Sequence, residues 1–189
     1  MKRILYIVSI LIFLNSCLLT SKNPLGKIED AISDDKLIGL WQFKNLKEKE
    51  SGYLLIFRNN DKSYELIVFD SKFKSEEILY CYAYISEIDR ERYFNIKILQ
   101  REGHSLIERG DDYIFSHYKI KNGTLIISLF NEDFIKKAIL ENKLQGSVDN
   151  KFNSILITDT TENIINLIKN SSLNDLLDKE KTYQLKKIK

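Results

Sequence analysis

Proline occurs once in this chain, at Pro24, and glycine seven times in 189 residues. That scarcity excludes collagen-like repeats and Pro/Gly-rich disordered polymers. Histidine is limited to His104 and His117, and cysteine to Cys17 and Cys81. Zinc needs clustered His and Cys ligands, and these are scattered. Hydrolytic chemistry of the Ser-His type needs a nucleophile on a strained turn beside a base. No G-x-S-x-G is present, and Ser116 and His117, as neighbours on a strand, point to opposite faces. Neither G-x-x-x-x-G-K-[ST] nor G-x-G-x-x-G occurs, so nucleotide binding has no motif. No cofactor is expected. Long apolar runs are missing too. The longest begins at Ile4 and ends at Leu14, eleven residues, where a helical span of the hydrocarbon core takes about 20.

That short run is informative. Lys2 and Arg3 precede it, and a basic start before an apolar stretch of this length is the pattern of a secretory signal. The boundary reads Leu14-Asn15-Ser16-Cys17. Leu at −3, a small residue at −1 and Cys at +1 resemble the lipobox of bacterial lipoproteins. The resemblance implies removal of residues 1–16 and attachment of lipid to Cys17. Each buried CH₂ of an acyl chain contributes roughly 0.8 kcal/mol, so two or three chains hold a domain at a bilayer without a spanning helix. The family also implies a sorting rule: Leu18, rather than Asp, after the Cys leans towards the outer membrane.

Removing residues 1–16 takes away Lys2 and Arg3 and leaves 173 residues with 27 basic and 27 acidic side chains. The apparent excess of positive charge belongs to the leader. A balanced surface gives no support for nucleic-acid binding, which needs a basic patch. The remaining length suits one domain. With Cys17 acylated, Cys81 has no disulfide partner. It lies in an apolar run with no cation nearby and reads as a buried small hydrophobe.

Residues 17–35 hold the lipidated Cys and then "LLTSKNPLGKIEDAISDD", whose Pro, Gly, Ser and Asn content reads as a flexible tether. Residues 36–189 read as a single domain. From Leu37 the hydrophobic period becomes two. "LIGLWQF", "YLLIFR", "SYELIVFD", "EILYCYAYIS", "YFNIKILQ", "YIFSHYKIK" and "TLIISLF" are rich in β-branched and aromatic residues and separated by polar breaks. Consecutive strands of this kind predict an antiparallel meander. Asn122-Gly123 is the favoured type I′ pair for a hairpin.

After Phe130 the period becomes helical. Asn131 caps a helix over "EDFIKKAILENK", with Phe134, Ile135, Ala138 and Ile139 on one face. Phe152–Thr158 returns to strand. Asp159 with Glu162 predicts a capping box, followed by a stripe of Ile164, Ile165 and Ile168. Ser172 with Asp175 starts a short helix over Leu173–Lys179, and "TYQLKKI" closes as a strand. The fold class is mainly β: an antiparallel barrel or strongly curled sheet, with two to three short helices in the C-terminal third.

Gly39-Leu40-Trp41 resembles the G-x-W of the first lipocalin strand, where the Trp packs across the barrel bottom. The stretch "YKIKNGTLIISLFNEDFIKKAILENKLQG" is similar to lipocalin-like bacterial lipoproteins. The resemblance implies a lipocalin-like β-barrel. Tyr80, Tyr82 and Tyr84 share one strand face, opposite Leu79, Cys81, Ala83 and Ile85. Cross-strand stacking on an outer sheet face is the weightier reading. The alternative is that the three tyrosines, with Trp41, line a ligand pocket in the barrel mouth. The acidic pairs Asp34-Asp35, Glu76-Glu77 and Asp111-Asp112 read as solvated loop residues.

These readings lead to one expectation and one alternative. The first is a non-enzymatic, lipid-anchored envelope protein that binds a small hydrophobic or amphiphilic molecule. The alternative is a structural or interaction lipoprotein that contacts an envelope or host protein.

Overall fold

The computed structural model describes residues 18–45, 50–70, 78–101, 112–152 and 154–188. Residues 1–17, Cys17 among them, together with His104, Glu76-Glu77 and Asp111, lie outside these residues. Eight strands close into an antiparallel barrel: β2 (Gly39–Asn45), β3 (Glu50–Arg58), β4 (Tyr64–Asp70), β5 (Leu79–Ile88), β6 (Glu91–Arg101), β7 (Ile114–Lys121), β8 (Thr124–Phe130) and β11 (Leu177–Lys187). Neighbours follow chain order from β2 to β8, as a meander requires. β11 closes the barrel by pairing with both β8 and β2. The Asn122-Gly123 turn forms as expected, with φ of 52° and 73° and Lys121 paired to Thr124.

A smaller layer lies outside the barrel. Strands β1 (Leu18–Ser21), β10 (Ser154–Ile157) and β9 (Gly146–Asp149) form a three-stranded sheet, with β1 parallel to β10. Helices α1 (Glu132–Leu140), α2 (Thr161–Lys169) and α3 (Leu173–Leu176) accompany it. Asn131 caps α1 by accepting from Asp133 N at 3.0 Å and Phe134 N at 3.2 Å. Ser172 caps α3 through Asp175 N. The cap of α2 is Thr160, accepting from Asn163 N at 3.3 Å, and not Asp159. Asp159 is drawn elsewhere: its carboxylate accepts from Gln145 N, Thr160 N and Asn163 Nδ2. The helix after Ser172 stops at Leu176, because Leu177 already pairs with Phe130 in the barrel. The strand expected from Phe152 starts at Ser154 and leaves Phe152 exposed.

Two hydrophobic cores result. Inside the barrel, alternate residues converge: Trp41, Leu54, Ile56, Tyr64, Leu66, Cys81, Ala83, Ile85, Phe94, Tyr118, Leu125 and Leu185. The second core joins the outer wall to the sheet and helices. Tyr93, Phe115 and Phe130 of the wall meet Leu25, Ile135, Ile155, Ile157, Ile164 and Ile168. Strands β5 to β8 therefore carry apolar residues on both faces, which alternation alone would assign to one.

Residues 18–35 are not a tether. Leu18–Ser21 adds a strand, Ser21 exchanges two backbone hydrogen bonds with Tyr113, and Leu25 is 1 % exposed. The segment then runs along the outer wall. Leu25 N donates to Asn95 Oδ1 at 2.6 Å, and Thr161 Oγ1 donates to the Pro24 carbonyl at 2.7 Å. Its polar, turn-rich composition satisfies backbone groups against distant side chains. The folded unit therefore begins at or before Leu18.

Candidate functional site

The barrel has one sealed end, built from the chain just before β2. Asp35–Leu37 makes a 3-10 turn that places Leu37, fully buried, under the strands. Trp41 Nε1 donates to the Leu37 carbonyl at 2.7 Å, so the indole is satisfied while 1 % exposed. Lys187 Nζ sits 5.2 Å from the Trp41 ring centroid, within reach of a cation–π interaction. Gly39 makes this approach possible. Its φ is +127°, and a Cβ there would stand 2.9 Å from Lys187 Cε. Phe94 and Tyr118 stack over the floor with centroids 4.5 Å apart.

Beneath them lies a carboxylate that the sequence does not single out. Asp34 is 8 % exposed and pairs with Arg92 Nη1 at 2.6 Å. Tyr118 Oη donates to it at 3.3 Å, Lys36 N donates to its other oxygen at 3.1 Å, and its own N donates to Tyr64 Oη at 2.6 Å. Arg92 and Tyr118 are opposite each other in the β6–β7 register, on the parity that faces inward. Burial raises the Tyr118 hydroxyl pKa, and the Asp34 charge adds to it. The local sequence marks Asp34-Asp35 as a loop pair, and that holds for Asp35, which is exposed and pairs with Arg58. Arg92 is 58 residues away from Asp34, so no short-range signal links them.

Towards the other end the same interior becomes more accessible. Phe43, Val68, Leu79, Ile96, Ile98, Ile127 and Tyr183 pack on the barrel core but remain only partly buried. The Phe43 ring lies against Gly52, where a Cβ would come within 2.3 Å of it. Ser116 faces the interior opposite Phe94, is fully buried, and its Oγ has no hydrogen-bond partner among the described residues. Segments 46–49, 71–77 and 102–111 join strands at this end and lie outside the described residues.

The candidate residues divide between the two faces. Trp41 is inside, at the sealed floor. Tyr80, Tyr82 and Tyr84 are on the outer face of β5, while Cys81, Ala83 and Ile85 supply the interior wall. Tyr84 is buried against the outer segment, and its hydroxyl donates to the Gly26 carbonyl at 2.8 Å. Tyr82 and Tyr113 meet the Tyr84 ring edge-on at 6.4 and 6.3 Å. Burial raises the Tyr82 and Tyr84 hydroxyl pKa values. A molecule in the barrel would therefore touch the other face of this strand. Cys81 is buried, and desolvation pushes its thiol up to about 12. His117 is on the outer face, 3 % exposed, with Nε2 2.6 Å from Glu91 Oε2 and its ring against Tyr93. Among the described residues, no group of three or more His, Cys, Asp or Glu could hold a metal ion, and no helix is long and apolar enough to cross a membrane.

Compared with known proteins, the chain matches no family model, no curated protein and no solved structure.

Proposed function

We propose that this chain is a lipid-anchored protein of the bacterial cell envelope, held by acyl chains on Cys17, whose barrel binds a small hydrophobic or amphiphilic molecule without catalysis. The outer membrane is the expected site. The observation that carries the reading is the gradient along the barrel interior. At the floor Leu37, Trp41, Tyr64, Phe94 and Tyr118 are closed off, with Ile120 partly accessible, whereas further along inward-facing Phe43, Val68, Leu79, Ile98 and Tyr183 keep partial access. An eight-stranded barrel is just wide enough for one small ligand above a packed floor. The inward wall is apolar apart from the Tyr183 hydroxyl and, opposite Phe94, the buried Ser116 hydroxyl, polar points that an amphiphile's head group would meet.

Attachment at Cys17 suits the position of the first described residues. Leu18 pairs with Ser154, beside the β9–β10 turn, where Phe152 is exposed and Lys151 Nζ lies 5.3 Å from its ring centroid. An aromatic side chain with a neighbouring lysine fits a membrane interface.

The test is purification of the full chain from its own membranes, followed by mass spectrometry under denaturing and native conditions. The denaturing mass should show loss of residues 1–16 and added acyl chains on Cys17. The native mass should exceed it by a discrete ligand. An unacylated chain sinks the anchor. An acylated chain with no added mass, and no displacement of a fluorescent fatty-acid probe, sinks the binding reading.

A further inference from the structure

The sealed end carries a cleft of about 200 Å³, lined by Asp34, Lys36, Arg90, Glu91, Arg92, Tyr118, Lys119 and Ile120. Its space is several times the roughly 30 Å³ share of one water. The lining holds four cations and two carboxylates, and both carboxylates are engaged. Asp34 holds one edge of Arg92, and Glu91 is 2.6 Å from His117 Nε2. Lys36, Arg90 and Lys119 have exposed side chains that pair with nothing among the described residues. Three cations without a partner among the described residues therefore border this concavity, Lys119 on the outward parity of β7 and Tyr118 on the inward one.

The backbone at Arg90 supports a function for this arrangement. Asp89 and Arg90 form the two-residue turn between β5 and β6, with φ of 51° and 69°. The other two-residue turn at this end, Asn122-Gly123, uses the residues that such a turn prefers. Arginine in a left-handed conformation is disfavoured, and glycine would relieve it. Lys62 and Asn142 share this left-handed region, and Arg90 is the one of the three that borders the charged cleft.

We infer that this cleft binds a phosphate group, with Arg90, Lys119 and Lys36 as its cationic ligands and with Arg92 beside them offsetting the charge of Asp34. Charge-assisted hydrogen bonds from Arg and Lys match a phosphate oxyanion. The site is on the opposite end of the barrel from the partly accessible interior and does not depend on it. The phosphate belongs either to a free small molecule or to a phospholipid headgroup.

The test is calorimetric titration of the full-length chain in detergent, at constant ionic strength, with inorganic phosphate and with glycerol 1-phosphate, using chloride as the control. Saturable binding of either phosphate probe, absent for chloride, is expected. The double variant R90G/K119Q should weaken it by about tenfold or more, with the melting temperature unchanged or raised because the turn strain is relieved. Preference for inorganic phosphate assigns a free phosphate compound, and preference for glycerol 1-phosphate assigns a headgroup. Heats indistinguishable from chloride, or equal affinity in the double variant, overturn the inference. Should the double variant unfold, K36Q/K119Q, both exposed, supplies the same comparison.

Discussion

The two ends of one barrel interior are built on the same alternation, yet they differ in closure. At the floor, Leu37, Trp41, Tyr64, Phe94 and Tyr118 are all 2 % exposed or less. Further along the same strands, Phe43, Val68, Ile98 and Tyr183 keep partial exposure. The difference comes from what covers each end. The 3-10 turn of residues 35–37 and the Asp34–Arg92 pair close the floor, with no counterpart among the described residues at the other end. Alternation decides which side chains point inward, and the chain that crosses the barrel end decides which of them lose contact with water.

The mid-height wall offers the largest effect by which to sharpen this contrast. A thiol at about 12, against about 8.5 unfolded, favours the protonated form in the folded state. Its contribution to stability is complete below about pH 8.5 and is lost as pH rises towards the folded value. Alkylation of Cys81 at pH 8 should be slowed by about a thousandfold or more relative to the urea-unfolded chain. Quantified by mass spectrometry, a rate within tenfold of the unfolded one would extend the accessible zone down to Cys81.

The ends themselves are compared by one substitution each. Trp41→Ala should destabilise by about 3–5 kcal/mol, as deletion of a buried aromatic does. Phe43→Ala should cost clearly less, about 1–3 kcal/mol, since its ring starts partly exposed. Chemical denaturation of both variants measures this, and equal losses would abolish the distinction between the ends. Asp34→Ala should cost about 1–3 kcal/mol by leaving Tyr118 and one edge of Arg92 without their acceptor. Arg92 is 42 % exposed and recovers water, which keeps the loss below that of a fully buried pair. The smallest effect belongs to Ser116→Ala. Removing an unpartnered buried hydroxyl should stabilise the ligand-free barrel by about 1 kcal/mol or less, while weakening retention of a bound amphiphile. A lower melting temperature would instead give this hydroxyl a partner in the resting barrel.

Much of the fold was legible locally. Period-two runs located the barrel strands, Asn122-Gly123 located a hairpin, and only the resemblance of Gly39-Leu40-Trp41 to a family motif implied a tryptophan at one barrel end. Asn131 and Ser172 cap as their side chains allow. The misreadings share one physical cause. Asp159 and Thr160 can each cap α2, and the contact of Asp159 with Gln145, 14 residues away, leaves the cap to Thr160. Residues 18–35 read as a tether because their partners, Asn95, Tyr113 and Thr161, are remote in sequence. The tyrosine row on β5 was recognisable as sharing one face. Which face pointed outward depended on barrel closure.

By itself, then, the sequence determined the strands and the hairpin turn. Those rest on period, propensity and residue type, which act over a few residues. Only the tertiary structure decided that Leu25 is core, that Tyr80, Tyr82 and Tyr84 face outward, and that Asp34 meets Arg92 beside three cations without a partner among the described residues. Each of these is a contact between distant segments, and its position is fixed by where the barrel closes and what is laid against it.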